Sequence, residues 1–354
     1  MKSNTVGQYE LNGPVSRSQK KTVQSRDVNV MVLAGANIAV LLVFSLVIGD
    51  KFFSVRNFQS MAFQVPEFGF MAFGMALCIL SGGIDLSIVS IANLSSILAG
   101  YLILGIAKSG GNATLAMLVA FLVALVIATL CGLLNGLLIA KAHILPILTT
   151  LSTMIFYAGV AMAITSGNTV IGFPDEFSEV GIFKLWGVPA VFIVFVAGTI
   201  ILLLILALTS FGKTVYLHGE NQIAALFSGM KTHSIIIRTY MVSGFLSGIG
   251  GLMLMCRVNS TRVGYGETYL LQALLVCVLG GLSVSGGKGK IAGVFLGILV
   301  LQILQSGFTL LGMEPYLKNF IWGVVLIGVM IAIYYVDKNR KRVRLLRVDS
   351  NKAN

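Results

Sequence analysis

Ten long runs of predominantly apolar residues, broken only by short polar stretches, fill most of the chain between residues 31 and 336. A membrane-crossing helix needs ~20 such residues, whereas a membrane β-strand alternates polar and apolar side chains over ~10. The uninterrupted runs fit the helical pattern alone and predict spans at 31–49, 58–80, 84–104, 114–140, 145–165, 188–210, 233–257, 268–282, 290–311 and 316–336. Composition agrees: 56% of the 354 residues are hydrophobic, 11% are charged and the mean hydropathy is +0.93, more than a soluble core of this size can hide. The expected fold class is all-α, a polytopic membrane protein with about ten transmembrane helices at 31–336. Tails flank it at 1–30 and, strongly basic, at 337–354. The first run follows polar residues and is not followed by a small-residue cleavage pattern, so it reads as a retained helix and not as a signal peptide.

Lys and Arg resist translocation and collect on the cytoplasmic side. With an inside N-terminus and ten spans, 18 of the 25 cations fall inside, including Lys141, Lys213, Lys231, Lys288, Lys290 and the tail cluster from Lys338 to Lys352. Seven fall outside: Lys51, Arg56, Lys108, Lys184, Arg257, Arg262 and Lys318. The net charge of +12 is therefore a topology signal and not a nucleic-acid footprint; the basic tail suits anionic lipid headgroups. Both termini are expected in the cytoplasm.

The same parity interprets SGGIDLSIVS at 81–90. Were 58–104 one helix, every later loop would change sides and Lys141 would lie outside, so the SGG triplet reads as a tight break. Asp85 then stands near a helix start, where a carboxylate can accept backbone N–H groups and face the positive end of the helix dipole. The competing reading puts Asp85, and Glu67 beside Pro66 inside the second span, in a transport path, because intramembrane carboxylates mark such paths.

Cys78, Cys131, Cys256 and Cys277 lack paired spacing and read as packing residues, while His143, His218 and His233 stand far apart without metal-ligand spacing, so no metal site is expected. Gly132 and Gly136, Gly244 and Gly248, and Gly293 and Gly297 are each four apart, which puts small residues on one helix face for close packing. GGLSVSGGKGK at 280–290 fails the phosphate-loop order, since Leu282 interrupts it and Gly289 follows Lys288; it reads as a tight cytoplasmic turn. Between the sixth and seventh spans lies the longest cytoplasmic loop, about 211–232, in which QIAALFSG predicts a short helix with Ile223, Leu226 and Phe227 on one side, a helix that can lie flat on the membrane or dock into a partner, which periodicity alone does not decide.

SGGIDLSIVS resembles the (S/T)GGIDLSVGS signature of permease subunits of bacterial ABC importers for simple sugars, the ribose-type branch. Three further stretches match that family in order: GENQIAALFSGM, VLGGLSVSGGKGKIAGVFLG and LQSGFTLLGMEPYLKNFIWGVVLI. The chain departs from the pattern at Val89, at Glu220, and in YLLQALLVCVLGG, which lacks the usual acidic residues.

This resemblance implies a type II ABC importer-like permease, not an enzyme, that works as one of two permease subunits, identical or not, forming the substrate path. It implies a cytoplasmic ATPase carrying ATP and Mg, a periplasmic or lipid-anchored sugar-binding protein, and no cofactor on this chain. The inner bacterial membrane is the implied location and a pentose or hexose the implied cargo. The autoinducer-2 type of furanosyl signal is the alternative, and an ion-coupled secondary transporter a more distant one. By residue, the resemblance assigns Gly219, Glu220, Asn221, Ala224, Ala225, Ser228 and Gly229 to the loop that docks on the ATPase. The signature positions Gly82, Gly83, Asp85 and Ser87, together with Gly280, Gly281, Gly286 and Gly287, are candidates for the path or gate, as is Glu67.

Overall fold

The computed structural model describes residues 16–328 and 331. Twelve α-helices are bounded in this range: α1 (Ser16–Ile48), α2 (Val55–Leu80), α3 (Ile88–Lys108), α4 (Ala113–Ala140), α5 (Pro146–Thr165), α6 (Asp175–Ile182), α7 (Ala190–Leu208), α8 (Ser210–Glu220), α9 (Gln222–Phe227), α10 (Thr232–Val258), α11 (Glu267–Leu279) and α12 (Ile291–Leu310). A two-residue hairpin pairs β1 (Lys184–Leu185) with β2 (Val188–Pro189) between α6 and α7. Residues 315–328 are also helical. Several starts are fixed by capping side chains: Ser54 accepts from the Asn57 N–H at the head of α2, and Asn112 from the Leu115 N–H at the head of α4.

Eight of the described helices are long and apolar enough to cross a bilayer: α1, α2, α3, α4, α5, α7, α10 and α12. One of the ten expected spans needs correction. The run at 268–282 is α11, whose 13 residues reach about 20 Å, short of the ~30 Å hydrocarbon thickness. The run at 316–336 is helical over 315–328 and at 331, and the rest of it, like the tail at 337–354, lies outside the described residues.

The missing length of α11 is supplied by irregular backbone. Asn93 Nδ2, on the second turn of α3, donates to Tyr265 O at 3.0 Å, and Ser96 Oγ meets Thr261 Oγ1 at 2.9 Å, so residues 261–265 sit level with the inside of α3. Thr261 also exchanges two backbone hydrogen bonds with Val170, at 2.8 and 3.0 Å. A crossing made of extended chain followed by a half-length helix is tolerable in a membrane only where protein covers it; here Ser260 and Thr261 are buried.

α2 is the central helix. In its apolar window 89% is buried within the chain, against 11% for α1 at the periphery. Phe195 of α7 stacks on Phe73 at 5.4 Å and meets Phe70 edge-on at 5.3 Å, which fastens α7 to α2. α10 packs against α2, α3 and α4. Glycine permits the tightest of these crossings: a Cβ on Gly132 would stand 3.2 Å from the Gly244 Cα and closer to the Tyr240 carbonyl.

The connecting loops gather at two ends. At one end Gly287 N donates to Leu80 O at 3.0 Å and the Tyr216 O–H to Gly289 O at 3.1 Å, which joins the 81–87, 210–222 and 283–290 segments. At the other, Gln59 Nε2 donates to Gly187 O at 2.9 Å. Loops that the charge parity assigns to one side do share one end.

Replacement of Gly132 by Leu would force α4 and α10 apart and is expected to lower the detergent melting temperature or abolish folded yield. Gly159→Ala, in a helix with nothing within 4 Å of the new Cβ, should be neutral or mildly stabilising. Equal thermal stability of the two variants would refute the close-packing account.

Candidate functional site

The chemistry-bearing residues gather below α2, at the loop end that holds SGGIDLS. α2 stops at Leu80 and Ser81 Oγ caps it by donating to Cys78 O at 2.8 Å. Asp85 then turns the chain: its Oδ1 accepts from the Ser87 N–H at 3.0 Å and from Ser87 Oγ at 2.6 Å, while Oδ2 accepts from Ser243 Oγ of α10 at 2.8 Å. Ser87 Oγ accepts in turn from Asn135 Nδ2 of α4 at 2.8 Å, and Tyr157 of α5 donates to Cys131 O at 2.9 Å and reaches Asn135 Oδ1 at 3.3 Å. Asp85, Ser87 and Asn135 are fully buried.

This arrangement amends the expectation for Asp85. The N-cap of α3 is Ser87, whose side chain makes no cap bond, and Asp85 binds only one backbone N–H, two residues ahead. Its other bonds are to hydroxyls on two elements, so the carboxylate is a joint between α3, α10 and, through Ser87, α4. Ser243, Asn135 and Tyr157 were invisible to sequence reasoning: they lie 158, 48 and more positions away, and each is an ordinary polar residue in an apolar run.

The expected short helix is present as α9. Asn221 caps it, accepting from the Ala224 N–H at 2.9 Å, and Gly229 ends it with φ +76°. Ile223 (68% exposed), Leu226 and Phe227 (87% exposed) stand free on its outer side. Ala224 and Ser228 are exposed with them, but Ala225, of the same loop, is buried at 4% and faces the chain itself.

Beneath α9 three loops meet backbone to backbone. A Cβ on Gly219 would stand 2.6 Å from the Gly287 N and closer to the Leu80 carbonyl, and one on Gly286 would stand 2.8 Å from the Gly82 Cα and 2.7 Å from the Gly219 O. Gly82, Gly219, Gly286 and Gly287 thus form one glycine junction. Glu220 and Lys288 lie 3.9 Å apart above it, both largely exposed, which contributes little. Gly83 abuts Tyr240 and Pro146, whereas Gly280 packs on α12 at Gly293 and Gly281 turns the chain after α11.

Glu67 belongs to a different place. Arg257 grips it with Nε to Oε2 and Nη2 to Oε1, both 2.8 Å, and the Tyr269 O–H also donates to Oε1. A bidentate guanidinium and a phenol satisfy the buried carboxylate. Arg257, expected as an outside loop cation, instead turns into the bundle and ties α2 to α10 and α11. Its side chain also lines a cavity of about 350 Å³ with Arg56, Gln59, Gln64 and Lys184.

All three histidines, separated in sequence, border one cavity of about 380 Å³ beside the junction. His143 and His233 meet edge to face with centroids 5.5 Å apart. Burial holds the His218 imidazole below its ordinary pKa.

If Asp85 is a joint between helices, Asp85→Asn should retain folded protein, since Oδ1 still accepts from Ser87 and Ser243 can rotate to accept. Asp85→Leu would leave the Ser87 and Ser243 donors bare, a cost of about 1–3 kcal/mol for each buried unsatisfied group. Transport normalised to inserted protein separates a joint from a gate: a well-folded but inactive Asn variant would show that the charge itself is required.

A family model described as branched-chain amino acid transport system / permease component matches residues 57–330. The ribose import permease protein RbsC of Bacillus subtilis is 37% identical over 290 residues, covering 81% of this chain and 88% of that protein. The L-arabinose transport system permease protein AraH of Escherichia coli is 33% identical over 306 residues, covering 86% and 90%. The autoinducer 2 import system permease protein LsrC of Photorhabdus laumondii is 30% identical over 331 residues, covering 89% and 95%. No solved structure matches the chain.

Proposed function

The chain belongs to the transport-system permease-component family, and we propose that it is the membrane subunit of an ATP-driven, binding-protein-dependent importer of a simple sugar. A ribose-like pentose or a hexose is the favoured cargo, in keeping with the sugars in the names of the relatives RbsC and AraH. The relative LsrC supports the second reading, a furanosyl signal of the autoinducer-2 type. A second permease subunit completes the path, and a separate ATPase supplies ATP and Mg, so this chain hydrolyses nothing and binds no cofactor of its own.

One observation carries the mechanism: α9 offers Ile223, Leu226 and Phe227 to solvent directly above the glycine junction. A short, capped helix with an exposed apolar face fits a groove on a partner. The ATPase fills that role in this reading. Closure of the ATPase would push α9, and contacts of Gly219 with Leu80 and Gly287 would pass the displacement to α2 and the 283–290 loop. α10, bonded to Asp85 at Ser243 and to Glu67 at Arg257, would carry it toward the far end. The sugar-binding protein docks there, near the cavity lined by Arg56, Gln59 and Lys184.

Proteoliposomes containing the chain, its ATPase and its binding protein should accumulate ribose only with ATP on the ATPase side. Movement of sugar by the chain alone under a proton or sodium gradient would overturn the ATP-driven reading. In the same assay Phe227→Asp should leave the chain inserted but reduce ATPase co-purification and transport at least about tenfold, because losing a buried aromatic anchor costs about 2 kcal/mol or more. Ala225→Arg should instead reduce folded protein. Full coupling by Phe227→Asp would exclude α9 as the contact.

The orientation has its own test. In a background without the native cysteines, single cysteines at Ser178 or Gly312 should react with an impermeant reagent from outside, and those at Lys213, Met230 or Lys288 should not. Outside labelling at Lys288 would reverse the assigned sidedness.

A further inference from the structure

We infer that the cavity bordered by the three histidines is a binding site for a phosphate-bearing ligand at the loop end of the bundle. Its walls are contributed by the SGG loop, the 139–146 turn, α8, α9 and the head of α10, and no Asp or Glu lines it.

Three independent features converge there. The first is His218, 2% exposed, whose Nδ1 and Nε2 both lack a hydrogen-bond partner. A buried imidazole without partners is costly, and a ligand oxygen would accept from its N–H. The second is a pair of helix starts. Leu145 and Pro146 at the head of α5 and Thr232 and His233 at the head of α10 border the cavity, and neither helix, of 20 and 27 residues, has a capping side chain. Pro146 carries no N–H and Met230 O accepts from the Thr232 N–H at 2.9 Å, so among these residues the His233 N–H is the one left without an intrahelical acceptor, while the positive ends of both helices favour an anion. The third is the donor set: the imidazoles of His143 and His233 meet edge to face at the mouth and bring further N–H groups, while Asp85 is occupied by Ser87 and Ser243, and Glu220 faces Lys288.

A phosphate group fits this donor set because its several oxygens accept from different directions at once. The remaining wall is apolar, with Ile139, Ile144 and Ile236, which suits a phosphate attached to an organic body better than the bare ion. A volume of about 380 Å³ is within the range of small-ligand sites. Two sources share this chemistry: a soluble sugar phosphate, and the headgroup of an anionic phospholipid entering beside the exposed Leu145 and Leu148.

Since the chain holds three histidines and all line the cavity, ring-13C-histidine labelling of the full, tag-free chain reports on the site directly. In detergent, glucose 6-phosphate is titrated against glucose plus chloride at equal ionic strength. In parallel, nanodiscs of phosphatidylglycerol are compared with nanodiscs of phosphatidylcholine. A saturable change at His218 and at least one other histidine with glucose 6-phosphate supports the site with a soluble ligand, and a change confined to phosphatidylglycerol supports it with a lipid. His218→Gln should weaken the apparent affinity at least about tenfold, as expected for a lost charge-assisted hydrogen bond. His233→Asn, at the more exposed mouth, provides the same comparison should the first variant fold poorly. Absence of a saturable change from both sources in the unmodified chain, or an undiminished response in both variants, overturns the assignment. The titration needs neither ATPase nor transport, so its failure leaves the transport reading untouched.

Discussion

Backbone polar groups with no water to bond are the constraint on which this molecule depends. Helices satisfy them locally, which is why long apolar runs translate into α1 through α5, α7, α10 and α12. The informative places are those where the helix stops at depth. At 81–87 the freed groups are taken up by Ser81, Asp85 and the neighbouring loop, with Leu80 O accepting from Gly287 N. At 259–266 they are taken up by Asn93 and by a short backbone exchange with Val170. Each irregular stretch therefore exists only because a partner element, distant in sequence, covers it.

The two buried carboxylates solve the same problem by different means. Glu67 keeps a guanidinium and a phenol, a bidentate arrangement that fixes direction and distance. Asp85 has hydroxyls and one N–H, bonds that can rotate and exchange donors. α10 touches both, at Arg257 and at Ser243, fourteen residues or about 21 Å apart along its axis. A displacement at the junction end would therefore act first on the more adaptable joint and reach the rigid one through a single helix.

Much of this was legible in the chain and some was not, for physical reasons. Run length and the distribution of Lys and Arg gave the helical class, the break at SGG and the grouping of loops at two ends. The half-length α11 was not legible, because its apolar run of 268–282 looks like a short span while the chain that completes the crossing, 259–266, carries no periodic signal. Arg257 reads as a loop cation until tertiary structure brings it to Glu67, 190 positions away. The histidines gave no motif since their proximity is created by the meeting of the turn after α4 with α8 and the head of α10. On α9, periodicity over six residues could mark an apolar side but could not tell that Ala225 turns inward.

The glycine junction explains why small residues stand where three loop backbones meet. Side chains between two moving parts act as compliant spacers, since rotamers can absorb a displacement of an ångström or less. Backbone against backbone leaves little free volume to collapse, and close-packed interiors transmit strain. At Gly219 and Gly286 the approach is so close that a methyl group cannot be inserted without parting the loops. In the proposed mechanism, this is what makes a six-residue helix an effective handle: Asn221 holds α9 rigid at its start, and its outer face remains free for a partner. What lies beneath it then has no slack through which the motion could be lost before it reaches α2.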